Sequence, residues 1–217
     1  MERLSMQLGR CAAACVALTA ALLPFGAHAK AALPVPFTSQ APAGNWASPW
    51  KDYCEEASMV MAVHFVWGVP LTPKVAGLEM DVIRRFEIAA FGRWRDTSID
   101  DTAEVLRRLY GLSGVRTMLI ASPEDIKREL AAGKIVVAPT AGRLLKNPFF
   151  TPPGPVYHML VIRGYDEVKR EFIVNDPGTR RGNGLRYAKD VLFAAIHDWN
   201  RGDVMRGEKR ILTVARE

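Results

Sequence analysis

The chain has 217 residues, 49% of them hydrophobic, and its 29 basic and 23 acidic residues give a net charge of +6. This length suggests one domain that is large enough for a substantial core. The basic residues are spread along the chain, and the sequence has no zinc-finger spacing, glycine-rich phosphate loop or basic-aromatic platform. We therefore expect a solvated surface and no nucleic-acid partner.

The N-terminal segment is typical of a secretory signal peptide. Two arginines form a basic region, residues 11–25 are uncharged and mostly apolar, and Ala27-His28-Ala29 has the A-x-A cleavage pattern. A membrane-spanning helix needs about 20 apolar residues, so we favour cleavage over an uncleaved anchor. We predict that residues 1–29 are a signal peptide and residues 30–217 a single domain, exported to the bacterial periplasm or medium, with no stable membrane insertion.

Cysteine usage singles out one residue. Cys11 and Cys15 lie in the predicted signal peptide, so the exported protein would keep Cys54 alone and could form no internal disulfide. A free thiol in an oxidising compartment is a liability unless it is buried or used in chemistry. Composition leaves a buried core cysteine and a reactive cysteine equally open, so the surrounding residues must decide.

The predicted elements place helices mainly before strands, with an irregular lead-in at 33–50 and a loop at 142–155. Helical spacing and capping signals predict five helices, at 53–66, 73–90, 98–110, 122–133 and 187–199. Runs rich in β-branched and aromatic residues predict five strands, at 115–120, 135–138, 157–164, 170–175 and 210–215. Early helices followed by a mainly antiparallel sheet indicate an α+β fold.

Cys54 lies at the start of the first predicted helix. Unpaired backbone N–H groups and the helix dipole favour an anion there. A thiol at such a position can fall from a pKa of about 8.5 to about 3.5–7.5, especially beside a histidine. This placement favours a nucleophile over a buried core cysteine.

A thiol nucleophile needs a base that later acts as an acid. His64 lies ten residues along the same helix, about 15 Å from Cys54, and is too far away. His197 lies near the end of the last predicted helix, where a structural role is expected. His158 opens a strand directly after a loop, which holds the ring while one end stays accessible. We therefore predict His158 as the base, with an ordinary strand histidine as the alternative.

The predicted hairpin supplies a group behind His158. If its turn centres near residue 167, Gly164 faces Arg170 and His158 faces Asp176, while Asn175 points to the opposite face. A carboxylate in this position can orient the imidazole ring. Simple turn chemistry also explains an Asp-Pro-Gly sequence, and the two roles are compatible.

Acyl transfer also requires donors for an oxyanion. The Cys54 backbone N–H at the helix start is one candidate. The Gln40 side-chain amide could fold back from the lead-in, although spacing alone favours an ordinary surface glutamine.

Three segments resemble the bacteriocin-leader cysteine peptidases, and most closely the peptidase C39-like family. They are Val35–Pro42 with the following Gly44-Asn45-Trp46, Cys54–Ser58, and in the second half of the chain the runs His158–Asp166 and Phe172–Gly178. The resemblance implies a papain-like fold and no cofactor or metal. It implies Gln40 as oxyanion donor, Cys54 as nucleophile, His158 as general base and acid, and Asp176 as the residue that orients His158.

Two features depart from that family pattern. Many relatives have Cys-Gly-Pro where this chain has Cys54-Glu55-Glu56, and these acids favour the helix but oppose thiolate formation and favour cationic substrates. The leader-processing members are fused to a transporter that this sequence does not contain. Cleavage at a double glycine is therefore not carried over.

The expected function is an exported cysteine hydrolase, a peptidase that acts on peptide or peptide-like substrates through a Cys-His-Asp triad and a thioester. Two alternatives stay open. One is a cell-wall hydrolase of peptidoglycan stem peptides, or a transglutaminase-like acyl transferase. The other is an inactive papain-like binding module. Trp46, Phe149 and Phe150 either line a substrate groove or pack in the core, and the sequence does not determine the oligomeric state.

Overall fold

The computed structural model describes residues 32–216, so the predicted signal peptide lies outside the described residues. Five α-helices are present in this part of the chain: α1 (Cys54–Trp67), α2 (Pro73–Phe91), α3 (Ile99–Arg108), α4 (Pro123–Ala131) and α5 (Lys189–Ala195). Six strands accompany them: β1 (Val115–Leu119), β2 (Ile135–Ala141), β3 (Tyr157–Asp166), β4 (Glu171–Asn175), β5 (Asn183–Ala188) and β6 (Arg210–Val214).

The strands form one sheet in the order β1-β6-β2-β3-β4-β5, and every neighbouring pair is antiparallel. The predicted α+β fold with an antiparallel sheet is therefore confirmed. The central strand β2 is buried at all seven positions and pairs with β3, including Thr140 with His158. His158 is thus fixed by a ladder at the middle of the sheet.

Side-chain alternation along β3 divides the core into two layers. Met159 and Val161 face α1, α2 and α3, whereas Leu160 and Ile162 face the later helices α4 and α5. Every residue of α1 from Cys54 to Phe65 is buried. Helix α1 is therefore enclosed on all sides and packs against β3 of the sheet.

Side-chain caps stabilise the starts of two of the predicted helices, α3 and α2. The Ser98 hydroxyl accepts a hydrogen bond from the Asp101 backbone N–H at 3.2 Å, and the Asp101 carboxylate accepts one from the Ser98 N–H at 3.0 Å. Before α2, the Thr72 hydroxyl accepts from the Val75 N–H at 3.3 Å. Such caps satisfy backbone donors that have no partner within the helix.

The predicted hairpin register is wrong. Asp166 pairs with Glu171 across a four-residue turn, a bulge shifts the register between Ile162 and Gly164, and the last pair joins Val161 to Asn175. His158 therefore has no partner on β4. The turn centres later than the assumed residue 167, which moves the partner of Gly164 from Arg170 to Ile173, and the extra residue that the bulge inserts into β3 takes back one of these three positions.

The region after the hairpin also differs from the prediction. Residues 183–188, predicted partly as loop and partly as helix, form the edge strand β5, and the last helix spans only Lys189–Ala195. Val174 pairs with Leu185 and Phe172 with Tyr187, so pairing with β4 decides the structure of this segment. His197 follows the helix, with Nδ1 2.9 Å from the Gly207 carbonyl oxygen. Within residues 32–216, no helix combines the length and apolarity needed to cross a bilayer.

Candidate active site

The lead-in segment lies along the hairpin at its bulge and positions Gln40. The Leu33 N–H donates to the Arg163 carbonyl at 2.7 Å, and the Asn175 side chain donates to the Val35 carbonyl at 3.1 Å. The Gln40 N–H then donates to the Pro177 carbonyl at 2.9 Å. These bonds tie the segment that carries Gln40 to the turn that carries Asp176.

Gln40 is not an ordinary surface residue, since only 4% of it is exposed. Its Nε2 donates to the Trp50 carbonyl at 3.1 Å, just before the start of α1. An amide nitrogen carries two hydrogens, so a second N–H remains for another acceptor. Cys54 is the first residue of α1, where backbone N–H groups have no partner within the helix. Both predicted oxyanion donors therefore lie beside the N-terminus of α1.

His158 and Asp176 are in direct contact. His158 Nε2 lies 2.7 Å from Asp176 Oδ1, and both side chains are buried. Because a carboxylate only accepts, the Nε2 position carries a proton and Nδ1 is left for another partner. The predicted pair is formed although the predicted register is wrong. Asp176 lies just beyond the end of β4, and its side chain reaches His158 near the start of β3.

Three further donors satisfy the Asp176 carboxylate. Oδ1 accepts from the Gly178 N–H at 2.9 Å, while Oδ2 accepts from Asn147 Nδ2 at 3.0 Å and from the Tyr187 hydroxyl at 2.7 Å. Burial alone would raise the pKa of Asp176, but the nearby His158 and these hydrogen bonds hold that pKa below its ordinary value. Asp176 is therefore a buried carboxylate that stays ionised and fixes the His158 ring.

The His158 ring is also enclosed by apolar packing. Phe150 meets it edge-on, with ring centroids 5.2 Å apart. At Gly178 an added Cβ would lie 2.7 Å from Phe150 Cε1 and 2.9 Å from His158 Cε1. Only glycine permits this approach, so the Asp-Pro-Gly turn packs directly on the imidazole.

A cleft of about 740 Å³ brings the predicted residues together, with Gln40, Cys54 and His158 in its wall. Trp46, Phe149 and Phe150 line it too, together with charged residues of both signs: Lys51, Asp52, Glu55, Arg95, Asp96, Arg180 and Arg181. The acids that follow Cys54 therefore do not make the cleft uniformly acidic. This volume lies in the usual range for small-ligand sites, about 300–1,000 Å³.

The thiol itself differs from the expectation for a helix start. Burial raises the pKa of Cys54 well above its ordinary value, and the charge and hydrogen bond of Glu55 raise it further. The Met159 backbone N–H opposes this only in part. The Cys54 thiol donates to Glu55 Oε2 at 2.8 Å. Desolvation and an adjacent acid therefore outweigh the helix dipole, and the free protein holds a neutral thiol.

Two more carboxyl groups lie behind this thiol. Glu56 on α1 and Glu87 on α2 are each 0% exposed, and within residues 32–216 neither forms an ion pair. Burial and mutual repulsion raise the pKa of Glu56 well above its ordinary value, and burial together with the charge of Glu55 raises that of Glu87 to about 9. Both groups are neutral acids near pH 7.

Several contributors were not identified from the sequence. Asn147 lies in a loop without a motif, and the sequence pattern predicts a helix at Tyr187. Recognition of the alternating Leu185 and Tyr187 as an edge strand would have placed Tyr187 beside β4. Glu87 gave no signal, because a glutamate in an amphipathic helix ordinarily faces solvent.

His64 and His197 lie outside the cleft. His64 Nε2 is 3.0 Å from Glu79, and its Nδ1 is 3.1 Å from the Pro70 carbonyl, in keeping with a structural role. Among the residues that the structure describes, no group of three or more His, Cys, Asp or Glu side chains is placed to hold a metal ion.

Comparison with known proteins identifies the family to which this chain belongs. A crystal structure described as a C39-like peptidase from Bacillus anthracis matches with a TM-score of 0.54 and 14% sequence identity. The match covers 85% of this chain and 96% of that one. No curated protein matches the sequence. Residues 32–202 match the Peptidase_C39 like family, whose fold is papain-like and whose function is of the peptidase type, and the chain belongs to that family.

Proposed function

We propose that this protein is an exported cysteine peptidase in which Cys54, His158 and Asp176 form the catalytic triad. One observation carries the proposal: His158 and Cys54 line the same cleft, and the His158 ring is hydrogen-bonded at 2.7 Å to the buried Asp176 carboxylate. The family and the papain-like fold support a peptidase-type reaction. The geometry supports Cys54 as nucleophile, His158 as base and Asp176 as the orienting acid.

The first half-reaction forms a thioester. His158 Nδ1 takes the thiol proton as sulfur attacks the substrate carbonyl carbon, and the resulting oxyanion accepts from the Cys54 N–H and the free N–H of Gln40. The C–N bond then breaks, and the leaving amine takes the proton from His158. Asp176 stays ionised and stabilises the imidazolium that forms in between.

The second half-reaction regenerates the thiol. Water enters the cleft, loses a proton to His158 and attacks the thioester carbonyl. The same two donors stabilise the second oxyanion. The C–S bond breaks, sulfur recovers the proton, and a carboxylic acid is released. The complete cycle consumes one water molecule for each peptide bond, and all its proton transfers use groups of this protein.

The resting thiol agrees with proton transfer after the substrate has bound. Burial raises the pKa of Cys54, so the free protein does not hold a preformed thiolate. An adjacent base activates a neutral nucleophile when the reacting groups are brought together. His158 is fixed for this task by Asp176 and Phe150.

The proposal is tested by digesting a peptide library and purified peptidoglycan with the purified protein. New termini are identified by mass spectrometry for the wild type, for Cys54→Ala and for a matched Ser58→Ala variant on the same helix. We expect cleavage by the wild type and by Ser58→Ala, and none by Cys54→Ala. Cleavage by pure Cys54→Ala would exclude Cys54 as nucleophile. Products from muropeptides alone would narrow the substrate to cell-wall peptides.

A further inference from the structure

Glu55 forms a side-chain hydrogen bond with the sulfur of the candidate nucleophile. The Cys54 thiol donates to its Oε2 at 2.8 Å, Glu55 is 1% exposed, and it lines the cleft. No other hydrogen bond from the Cys54 side chain to a side chain occurs in the described part of the chain. In the free protein the partner of the thiol proton is thus Glu55, and the proposed triad does not use this residue.

The surroundings of Glu55 hold more acids than bases. The titratable and charged groups that face it from α1, α2, the loop before α3 and β3 are Cys54, Glu56, Glu87, Asp96, Tyr157 and His158. Within residues 32–216 no lysine or arginine forms an ion pair with Glu55. Burial raises the pKa of Glu55 to about 7. Its charge therefore changes in the range where a peptidase of the cell envelope works.

We propose that Glu55 is a further catalytic residue beside Gln40, Cys54, His158 and Asp176. It accepts a hydrogen bond from the Cys54 thiol in the free enzyme and must become neutral before the thiolate forms. This rests on the proposed function, because it concerns the same nucleophile. An ionised Glu55 stabilises S–H as an acceptor and repels a negative sulfur. A protonated Glu55 donates its O–H to sulfur instead, while the thiol proton moves to His158 Nδ1. An ionised Glu55 first takes one proton from solvent; from the protonated form, the step gains and loses no proton and gives a thiolate, an imidazolium and a neutral acid.

The proposal predicts how Cys54 reacts with iodoacetamide as pH changes. Only the thiolate alkylates, so the rate constant follows thiolate formation. The wild type should show two steps, one near pH 7 as Glu55 ionises and one at higher pH as sulfur loses its proton. A single step at the ordinary thiol value of about 8.5 would overturn the proposal. This measurement needs no variant and does not depend on the folding of one.

Glu55→Gln gives the sharper result, because an amide keeps the shape of the side chain and donates to sulfur without a charge. The fraction of thiolate rises about tenfold for each unit by which the pKa of Cys54 falls. Because a less basic thiolate is also a weaker nucleophile, the rate constant for alkylation rises only about threefold per unit. We expect Glu55→Gln to alkylate at least about threefold faster than the wild type near neutral pH, with one step in place of two. The matched Glu104→Gln variant, an exposed carboxylate on α3 paired with Arg108, should follow the wild-type curve.

The outcome separates this proposal from the proposed function. If Glu55→Gln alkylates faster but the wild type cleaves no peptide, the thiol–acid pair stands and the peptidase assignment fails. If the wild type cleaves peptides and Glu55→Gln follows the wild-type alkylation curve, the peptidase assignment stands and the role of Glu55 fails.

Discussion

Replacement of Glu87 by glutamine should stabilise the protein, and increasingly so as pH rises. Glu87 is fully buried, and burial raises its pKa from 4.5 to about 9. Below pH 4.5 the folded and unfolded chains both keep the proton. Above it the unfolded chain ionises while the folded chain stays protonated, so unfolding is favoured until the pH reaches about 9.

The size of the effect follows from the range of pH between the two values. Each unit above 4.5 removes about 1.4 kcal/mol from the free energy of unfolding, which amounts to about 3 kcal/mol at pH 7. Glu87→Gln keeps the volume and polarity of the protonated acid but cannot ionise. The variant should therefore match the wild type at low pH and exceed it by about 3 kcal/mol at neutral pH.

Urea unfolding followed by tryptophan fluorescence measures this difference at pH values between about 5 and 8. Glu104→Gln, which removes an exposed carboxylate, serves as control and should change the free energy of unfolding by no more than about 0.5 kcal/mol at either end of this pH range. A Glu87→Gln variant whose stability relative to the wild type is the same at both ends of the range would refute the assignment of a buried neutral acid.

Three further predictions concern the catalytic groups and export. Asp176→Asn should lower kcat by about 10³–10⁴-fold with little change in KM, because an amide can place an N–H against Nε2 and favour the wrong tautomer; steady-state kinetics that give an unchanged kcat would count against the triad. Gln40→Ala should lower kcat by about 10²–10³-fold through loss of an oxyanion donor, and a change in KM alone would show a role in binding only. N-terminal sequencing of the protein recovered from the bacterial envelope or medium should begin at Lys30, whereas a retained Met1 would contradict signal cleavage.

The parts of the site that could be predicted rest on local signals. Cys54 stands at a helix start, His158 opens an apolar strand, and Asp176 begins a turn, and each pattern is readable within a few residues. The contact between His158 and Asp176 was expected from a register that proved wrong. It forms because Asp176 follows the last residue of the β3–β4 ladder, Asn175, on the same face of the sheet as His158.

The parts that were missed depend on long-range packing. Tyr187 reaches Asp176 only because β5 pairs with β4, and Asn147 reaches it from a loop 29 residues earlier in the chain. The state of Cys54 is another such case. The helix start predicts a lowered pKa, but burial and Glu55 decide the opposite direction. Burial of α1 on all sides is a property of the assembled core and has no local pattern.

The central claim is that His158, held by Asp176, activates Cys54. It is tested most directly by the rate at which a peptidyl vinyl sulfone labels the native protein, with the adduct located by peptide mapping. A general base contributes about 10²–10⁴-fold, so we predict one adduct, on Cys54, formed at least about 100-fold faster in the wild type than in His158→Ala. Equal labelling rates in the wild type, His158→Ala and the urea-unfolded protein would contradict the claim.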